Sequence, residues 1–215
     1  MNLNVREGIG IKMQPLEKLQ SEKVLAKNKI VLKILLNKLD TINTELSMKE
    51  GRMLVHNTSG RIKEVESIRA KLKRKGFDED YESAVEKVND IIGVRAVCFY
   101  MDDLYKVADT LSLHEDIEIL KVKNYMEHPK KSGYRSLHLI IKIKISLWEK
   151  QETVKAEVQL RTFAMNYWAL LDHQLRYKKD NAKSDKVEKE LEEYAASLED
   201  IDKKMMKIRD KIAQI

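Results

Sequence analysis

Residues 139–145 read Leu139-Ile140-Ile141-Lys142-Ile143-Lys144-Ile145, a run rich in β-branched isoleucine that indicates a β-strand. Successive side chains of a strand point to opposite faces, so the run predicts one apolar face and one mixed face. The apolar face consists of Leu139, Ile141, Ile143 and Ile145. A strand of this kind belongs to a sheet that is packed on one side.

The segment before this strand combines cations, a glycine and an aromatic residue within nine positions. It reads Lys130-Lys131-Ser132-Gly133-Tyr134-Arg135-Ser136-Leu137-His138. Lysines suit phosphates, Tyr134 suits a base, and His138 is held on a rigid element, so the segment resembles a nucleotide pocket. An ordinary hairpin turn with solvated lysines is the alternative interpretation.

The period of the apolar residues predicts a mixed α/β core between two helix-rich ends. Four strands are expected at residues 93–100, 117–122, 136–145 and 153–162, with a helix near 102–113 after the first. The strand at 94–100 is almost continuously apolar and belongs in the sheet interior, where Arg95 requires an anionic partner. Helices are expected at 16–46 and 61–75, separated by Gly51 and the polar stretch 57–60, and the second stops at Gly76.

The last segment carries an unbroken heptad pattern. Its apolar residues recur 4 and 3 apart, at Val187, Leu191, Tyr194, Leu198, Ile201, Met205, Ile208 and Ile212. The pattern predicts either a helix folded back on its own domain or a subunit contact. In the helix before it, Trp168, Leu171 and Leu175 are interpreted as core residues rather than cofactor contacts.

Composition favours a protein with anionic partners. The 215 residues carry a formal net charge of +6, with pI near 9.1, and charged residues of both signs are interspersed at 35% of the chain. Nucleotides, nucleic acid and an anionic membrane surface are all possible partners for a chain of this charge. The interspersed signs argue against a separate basic tail. Cys98 is the single cysteine, which excludes a disulfide framework and favours a reducing cytosol.

The chain is predicted to be one domain with helical arms, soluble and cytoplasmic. It has no stretch of about 18 apolar residues, and residues 1–5 lack the layout of a secretory signal. We expect an N-terminal helical arm at 1–50, a catalytic domain at 51–180 and a C-terminal amphipathic helix at 181–215.

Two carboxylates occupy positions suited to chemistry. Asp90 precedes the buried strand, and Glu157 shares one face of its strand with Gln159 and Arg161. Alone, Asp90 could be a turn residue, and the row on the second strand could be a solvated sheet face. Oxygen-rich side chains at strand ends can hold Mg²⁺ together with substrate phosphates.

A cationic helix supplies the charge that a triphosphate needs. Seven positive residues fall within it: Arg61, Lys63, Arg69, Lys71, Lys73, Arg74 and Lys75. Arginine can grip phosphate through paired donors and can stack on a base, so Arg61, Arg74 and Arg95 are the expected specific contacts. The chain has no Walker-type Gly-Lys-Ser/Thr loop, and this absence argues against the ATPase folds that use such a loop.

Taken together, the motifs resemble those of the RelA/SpoT-like (p)ppGpp synthetases. The resemblance covers residues 60–178, and the short chain is similar to a small alarmone synthetase. Five segments stand in family order: 60–63 followed by Ser67, 90–95, 130–138, 157–162, and 166–169 with His173. The order is more specific than any single segment.

The resemblance implies a nucleotidyltransferase-like mixed sheet flanked by helices and transfer of pyrophosphate from ATP to the 3′-hydroxyl of GDP or GTP, with release of AMP. It implies that Asp90 and Glu157 are catalytic and hold Mg²⁺, and that Glu157 alternatively takes the hydroxyl proton. The implied ATP ligands are Arg61, Lys63, Ser67, Arg74 and Arg95. The implied GDP or GTP ligands are Lys123, Lys130, Tyr134, His138, Gln159 and Asn166.

The same resemblance implies a homotetramer formed through the terminal helices and regulation by a guanosine polyphosphate near Asn57-Thr58-Ser59. Lys131 and Asp172 depart from the usual family residues, which leaves the choice among GMP, GDP and GTP open. Two other functions fit some of the residues. One is another Mg²⁺-dependent nucleotidyltransferase, and the other is a basic RNA-binding module, although aromatic residues are only 6% of the chain and offer few stacking platforms.

Overall fold

The computed structural model describes residues 14–176 and 185–214. The predictions for the first residues of the chain and for a domain boundary at 180/181 lie outside the described residues. A short 3-10 helix spans Leu16–Gln20. The helices are α1 Glu22–Glu50, α2 Val65–Lys75, α3 Tyr81–Lys87, α4 Met101–Ser112, α5 Phe163–Arg176 and α6 Asp185–Ile212, and the strands are β1 Val55–Ile62, β2 Ile92–Cys98, β3 Ile117–Asn124, β4 Leu137–Leu147 and β5 Lys150–Thr162.

The five strands form one mixed sheet in the order β1-β2-β5-β4-β3. Strands β2 and β5 are parallel, whereas the other three pairs are antiparallel. The β4–β5 hairpin turns through Trp148 and Glu149, which both adopt positive φ angles. The predicted mixed α/β class is confirmed.

One face of the sheet forms the main core under α1 and α4. The apolar face predicted for β4 is confirmed, because Leu139, Ile141 and Ile143 are almost fully buried, although His138 and Ile140 on the opposite face are buried as well. A Cβ atom on Gly60 would lie 2.4 Å from Leu32 Cδ1, so α1 packs directly on the backbone of β1. Glycine at this position therefore lets α1 approach the strand that carries Arg61.

The sequence-based assignment around residues 55–64 is wrong. Residues 57–60 do not interrupt the structure but belong to β1, and α2 begins at Val65 rather than at Arg61. Polar residues and glycine are uncommon in strands, and β1 is an exposed edge strand, so it has no apolar alternation to detect. Its hydrogen bonds come from pairing with β2, which the local sequence does not reveal.

The helices after β5 also differ from expectation. Trp168 is buried, whereas Leu171 and Leu175 are 43% and 54% exposed, so the core assignment is wrong for these two leucines. On α6, Leu191 and Ala195 are buried against α5 and its surroundings. Five other heptad residues, Tyr194, Ile201, Met205, Ile208 and Ile212, are about half exposed or more, whereas Leu198 is partly buried against the same cluster.

Alpha-helix α6 is tied to the rest of the chain by polar contacts as well. The Nη1 atom of Arg209 donates to both carboxylate oxygens of Asp102 on α4, at 2.8 and 2.9 Å. The Thr162 hydroxyl donates to Asp202 Oδ2 at 2.5 Å in a buried position. Among the described helices, none is both long enough and apolar enough to cross a lipid bilayer.

Candidate active site

The face of the sheet opposite α1 carries a row of polar residues drawn from all five strands. Residues that are register partners on neighbouring strands project to the same side of a sheet. Arg61 pairs with Gly93, Gly93 with Glu157, and Lys123 with His138, which in turn pairs with Gln159. The register thus brings the residues singled out from separate motifs to one surface, which we call the polar face.

A cleft lies at the β1 side of the polar face. It has a volume of ≈ 120 Å³ and is lined in part by Ser59, Arg61, Arg95 and Gln159. Gly93 forms its floor, and a Cβ atom built there would meet no other atom within 4 Å. The cleft is therefore open above Gly93 because this residue has no side chain to fill the space.

Asp90 lies just before β2, where two lysines hold its carboxylate. Lys63 Nζ lies 3.1 Å from Oδ2, and Lys71 Nζ lies 2.6 Å from Oδ1. Burial alone would raise the pKa of Asp90, but the hydrogen bond and charge of Lys71, together with Lys63, outweigh it and lower the pKa. Asp90 is therefore ionised at neutral pH and sits among cations.

One face of α2 is directed toward Asp90. Ser67, Lys71 and Arg74 are spaced 4 and 3 apart, so they share that face, and Lys71 contacts the carboxylate directly. Ser67 and Arg74 are exposed. Ser67 and Arg74 therefore flank Lys71 on the helix face that meets Asp90, and this row of one hydroxyl and two cations can bind a polyphosphate.

Arg95 projects from β2 onto the polar face without an anionic partner in the part of the chain that the structure describes. Its Nη1 atom donates to Asn166 Oδ1 at 3.4 Å, and its buried Nε atom has no hydrogen-bond partner. Burial and the nearby Arg161 lower the pKa of Arg95. Because buried polar groups are normally paired, this guanidinium is a candidate contact for a ligand.

Glu157 belongs to a closed ring of hydrogen bonds. Gln159 Nε2 donates to its Oε2 atom at 2.8 Å, and His138 Nδ1 lies 3.3 Å from its Oε1 atom. On the other side, the Tyr134 hydroxyl lies 2.9 Å from His138 Nε2, and Arg161 Nη2 donates to both the Tyr134 hydroxyl and Gln159 Oε1. The ring joins β4, β5 and the loop before β4.

One assignment of protons satisfies every contact in this ring. If Tyr134 donates to Nε2 of a neutral His138, then Nδ1 carries the proton and donates to Glu157. Burial lowers the pKa of His138, which agrees with a neutral imidazole at pH 7. With this assignment, hydrogen bonds are donated from Arg161 through Tyr134 and His138 to Glu157 on one side of the ring, and through Gln159 to Glu157 on the other.

Glu157 is a buried carboxylate that stays charged. Burial would raise its pKa, but the hydrogen bond with His138, followed by Gln159 and Lys123, lowers the pKa to about 2. Lys123 Nζ lies 3.5 Å from Oε1. A charged carboxylate on the polar face can hold a cation or accept a hydrogen bond from a hydroxyl group.

The loop before β4 presents Tyr134 to the same region. The ammonium group of Lys130 lies 4.5 Å from the centroid of the Tyr134 ring, and the Arg161 guanidinium lies 5.3 Å from it. The centroids of the Tyr134 ring and of the Trp168 ring of α5 lie 6.0 Å apart in an edge-to-face arrangement. Lys130 covers a ring that a nucleobase could also use for stacking.

The structure brings most of the predicted site residues to the polar face or its rim. Asp90, Lys63, Ser67 and Arg74 surround one end, and the remaining predicted residues lie around the cleft and the ring: Arg61, Arg95, Lys123, Lys130, Tyr134, His138, Glu157, Gln159 and Asn166. Lys131, in contrast, is 86% exposed, with its Nζ atom 3.9 Å from Glu188 on α6.

Sequence reasoning counted Lys71 among the cations of α2 and Arg161 in the row with Glu157, but it assigned neither of them a specific contact. The signal for Lys71 is its position four residues after Ser67 and three before Arg74 on one helix face. The signal for Arg161 is the alternation that it shares with Glu157 and Gln159. Neither signal identifies Asp90 as the partner of Lys71 or Tyr134 as a partner of Arg161, because both partners lie far along the chain.

The donor set suits Mg²⁺ bound together with a substrate. Within residues 14–176 and 185–214, no three His, Cys, Asp or Glu side chains form a cluster that could hold a metal ion unaided. Mg²⁺ commonly uses one or two carboxylates, water and substrate phosphates. Asp90 and Glu157 are ionised oxygen donors near adjacent strands, and they fit that pattern.

Comparisons with known proteins agree with one another. A family model described as "Region found in RelA / SpoT proteins" matches residues 60–182. The chain is 41% identical over 187 residues to GTP pyrophosphokinase YwaC of Bacillus subtilis, covering 85% of this chain and 89% of that protein.

Solved structures of similar proteins have the same fold as this chain. Small alarmone synthetase 1 of Bacillus subtilis bound to its product pppGpp superposes with a TM-score of 0.82 at 30% identity, over 90% of this chain and 98% of that one. The same enzyme bound to AMPCPP superposes with a TM-score of 0.75 at 28% identity, over 91% and 99% of the two chains.

Proposed function

Since this chain belongs to the RelA/SpoT family and is a GTP pyrophosphokinase, we propose the residue roles by which it makes ppGpp or pppGpp. The enzyme moves pyrophosphate from ATP to the 3′-hydroxyl of GDP or GTP and releases AMP. The observation that carries the assignment of roles is the register of β2 beside β5. It puts Glu157 next to Gly93, three residues after Asp90, with cations on both sides.

ATP binds at the β1 side of the polar face. Arg61 and Arg95 lie on neighbouring strands and project to the same side, so their guanidinium planes can hold the adenine between them. Lys63, Ser67 and Arg74 bind the phosphates, and we add Lys71 because its ammonium group already contacts Asp90. The phosphates then replace the Asp90 carboxylate as the partner of these lysines.

Asp90 and Glu157 hold Mg²⁺ when ATP is present. The ion would neutralise phosphate charge and thereby assist attack at the β-phosphorus. The lowered pKa values of both carboxyl groups support this role, because each group is deprotonated without the help of a metal.

The acceptor binds at the β4 side, with guanine on the ring of Tyr134. Lys130 moves from that ring to the acceptor phosphates, which Lys123 and His138 also approach, and Gln159 and Asn166 supply further hydrogen bonds. As the alternative to a role in holding Mg²⁺, Glu157 accepts a hydrogen bond from the 3′-hydroxyl and receives its proton while the hydroxyl oxygen bonds to the β-phosphorus and the bond from that phosphorus to the oxygen of the departing AMP breaks. In-line phosphoryl transfer depends mainly on positioning and charge neutralisation, which these fixed groups provide.

A product assay tests the proposal. The protein is incubated with ATP, Mg²⁺ and GMP, GDP or GTP in turn, and the products are resolved by anion-exchange chromatography. We expect AMP together with a 3′-pyrophosphorylated guanine nucleotide, and a loss of about 100-fold or more in Glu157→Gln. Pyrophosphate as the released product would instead indicate nucleotidyl transfer.

Glu152→Gln is the matched control for this assay. Glu152 lies on the same strand β5, and its contact is an ion pair with Lys27 at 2.9 Å, far along the strand from Glu157. It should retain wild-type activity. Equal activity of Glu157→Gln and Glu152→Gln would contradict the role of Glu157.

We also propose that the protein assembles as a homotetramer in the cytoplasm. The exposed heptad residues Ile201, Met205 and Ile208 of α6 and the exposed Leu171 and Leu175 of α5 support an oligomer contact. Light scattering coupled to size exclusion should give four times the chain mass, and Ile201→Glu with Ile208→Glu should lower it. A monomer in the unmodified protein would contradict the proposal.

A guanosine polyphosphate is proposed to regulate the enzyme near Asn57-Thr58-Ser59. These residues lie on the edge strand β1, and Ser59 lines the cleft beside Arg61. Titration with pppGpp should therefore change the rate or the thermal stability. No change in either would contradict the proposal.

A further inference from the structure

We propose that α6 positions the acceptor subsite, with Glu199 and Ala195 holding the loop that carries Tyr134 in the conformation that receives the guanine nucleotide. We call residues 130–136 the acceptor loop. This inference rests on the proposed function, since it concerns the affinity for the acceptor. It assigns a positioning role within the catalytic unit to a helix whose heptad pattern points to assembly.

The backbone of the acceptor loop lies directly on α6. Gly133 has a φ angle of 80°, and a Cβ atom built on it would lie 2.5 Å from the Cβ atom of Ala195 and 3.2 Å from the Cα atom of Glu192. The loop can approach this closely only because a glycine faces an alanine. A larger residue at Ala195 must move the loop.

An ion pair fixes the loop beside this contact. Arg135 Nη2 lies 2.7 Å from Glu199 Oε2, and both side chains are less than one-fifth exposed. Arg135 Nη1 also donates to the carbonyl oxygen of Met126 at 2.8 Å. The residue after Tyr134 is therefore held from two sides, and one of them is α6.

A small apolar cluster extends the contact to the ring of Tyr134. Trp168, Leu191 and Ala195 are buried together, and Tyr134 packs against them. The indole Nε1 atom of Trp168 donates to the carbonyl oxygen of Leu191 at 3.2 Å. Two of the three buried residues come from α6, so this helix supplies much of the support behind the aromatic ring.

The helix itself is anchored to the strand that carries Glu157. Asp202 accepts from the Thr162 hydroxyl at the end of β5, next to Arg161 of the hydrogen-bond ring. Arg209 and Asp102 fix the same helix to α4. The loop and β5 therefore share one support, which keeps Tyr134 at a constant distance from Glu157.

These contacts predict an effect on one substrate only. They join α6 to the acceptor loop, to α5 and to the end of β5, whereas the residues assigned to ATP lie on β1, α2 and β2. Weakening the support of the loop should reduce affinity for the acceptor while ATP binding continues. If α6 served assembly alone, weakening its contacts with the loop would not change the affinity for one substrate more than for the other.

Three variants test the inference in the full-length protein. Glu199→Gln removes the ion pair with Arg135. Ala195→Leu leaves that pair in place and displaces the acceptor loop through the larger volume of its side chain. Asp200→Asn is the matched control, because it makes the same change on the neighbouring residue, whose contact is an exposed pair with Lys204 at 2.6 Å. Size exclusion and thermal unfolding confirm assembly and folding of each variant.

Two measurements separate the substrates. The first is KM for GDP at saturating ATP, and KM for ATP at saturating GDP. The second is direct binding of GDP, followed by the fluorescence of Trp168 in a Trp148→Phe background, since these are the two tryptophans of the chain. Trp168 is a direct reporter because it touches Tyr134.

We expect Glu199→Gln and Ala195→Leu to raise KM and the dissociation constant for GDP about tenfold, with KM for ATP changed by less than about twofold. Asp200→Asn should match the wild type. The inference is overturned if Glu199→Gln matches Asp200→Asn, if both KM values rise alike, or if the effect appears only with loss of assembly. Should Glu199→Gln not fold, Ala195→Leu decides alone.

The wild type separates this inference from the proposed function. Absence of a pyrophosphorylated product in the wild type would overturn the function, and GDP binding by the variants would still decide the role of α6. An active wild type with unaffected variants would overturn only the inference.

Discussion

Gly93 of β2 is the direct register partner of Glu157 on the parallel strand β5. The buried carboxylate therefore stands beside a position without a side chain, and the space above Gly93 is continuous with the cleft that Arg61 and Arg95 line. Substrate groups bound in the cleft can approach Glu157 through this opening. The pair of residues thus connects the two halves of the polar face.

Substitution of Gly93 should affect ligand binding more than folding. An alanine Cβ atom there meets no protein atom within 4 Å, so Gly93→Ala should change the free energy of unfolding by less than about 1 kcal/mol. The methyl group occupies the cleft, and we expect binding of AMPCPP to weaken about tenfold by calorimetry. Unchanged binding would show that the nucleotide does not pass over Gly93.

Gly60 should behave in the opposite way. A Cβ atom there would lie 2.4 Å from Leu32 Cδ1 and 3.3 Å from the carbonyl oxygen of Gly93, so Gly60→Ala should cost about 1–3 kcal/mol of stability. Urea unfolding of Gly60→Ala, Leu32→Ala and the double variant measures the coupling. The prediction fails if the two substitutions are additive, because Leu32→Ala should relieve part of the strain.

Tyr134 combines a stacking ring with a hydroxyl group in the hydrogen-bond ring. Tyr134→Leu should raise KM for GDP by about 10- to 100-fold, as expected for loss of one aromatic stacking contact, and leave KM for ATP nearly unchanged. Tyr134→Phe keeps the ring but removes the contacts with His138 and Arg161, so it should mainly lower kcat. Steady-state kinetics with both substrates distinguishes the two effects, and identical behaviour of the two variants would be inconsistent with stacking.

Glu157 should contribute stability that acid removes. Its pKa is lowered from 4.5 to about 2 in the folded protein, so the stabilisation is complete above pH 4.5 and is lost as the pH falls toward 2. Between these values the wild type should lose about 1–3 kcal/mol more than Glu157→Gln does, measured by urea unfolding. Glu118→Gln, at an exposed glutamate of β3, serves as the control. Parallel pH curves for the wild type and Glu157→Gln would refute the assignment.

Asp90→Asn should separate metal-dependent from metal-independent binding. The substitution leaves Lys63 and Lys71 without their carboxylate partner, so AMPCPP should still bind in EDTA. Activity with Mg²⁺ should fall about 100-fold or more, because an amide is a poor substitute for a carboxylate ligand.

The control for Asp90→Asn is Asp116→Asn, which breaks an Asp–Lys pair of similar length with Lys38, at 3.0 Å, away from the polar face. Calorimetry with and without Mg²⁺, together with the product assay, checks the prediction. Retention of Mg²⁺-dependent activity by Asp90→Asn would rule out its role as a ligand.

Several elements could be predicted from local signals in the chain. The apolar face of β4, the buried strand β2 and the end of α2 at Gly76 follow from residue types and spacing. Side-chain period and charge are properties of a short segment, and burial of one face follows from them directly.

Which of these residues meet depends on contacts between distant parts of the chain. The polar edge strand β1 exists because β2 supplies its hydrogen bonds, and Lys71 and Arg161 acquire their partners from segments distant along the chain. The heptad pattern predicted a contact surface on α6, but it could not show that Glu199 grips Arg135. Strand register and helix docking are set by long-range pairing and packing, whose free energy is absent from any isolated segment.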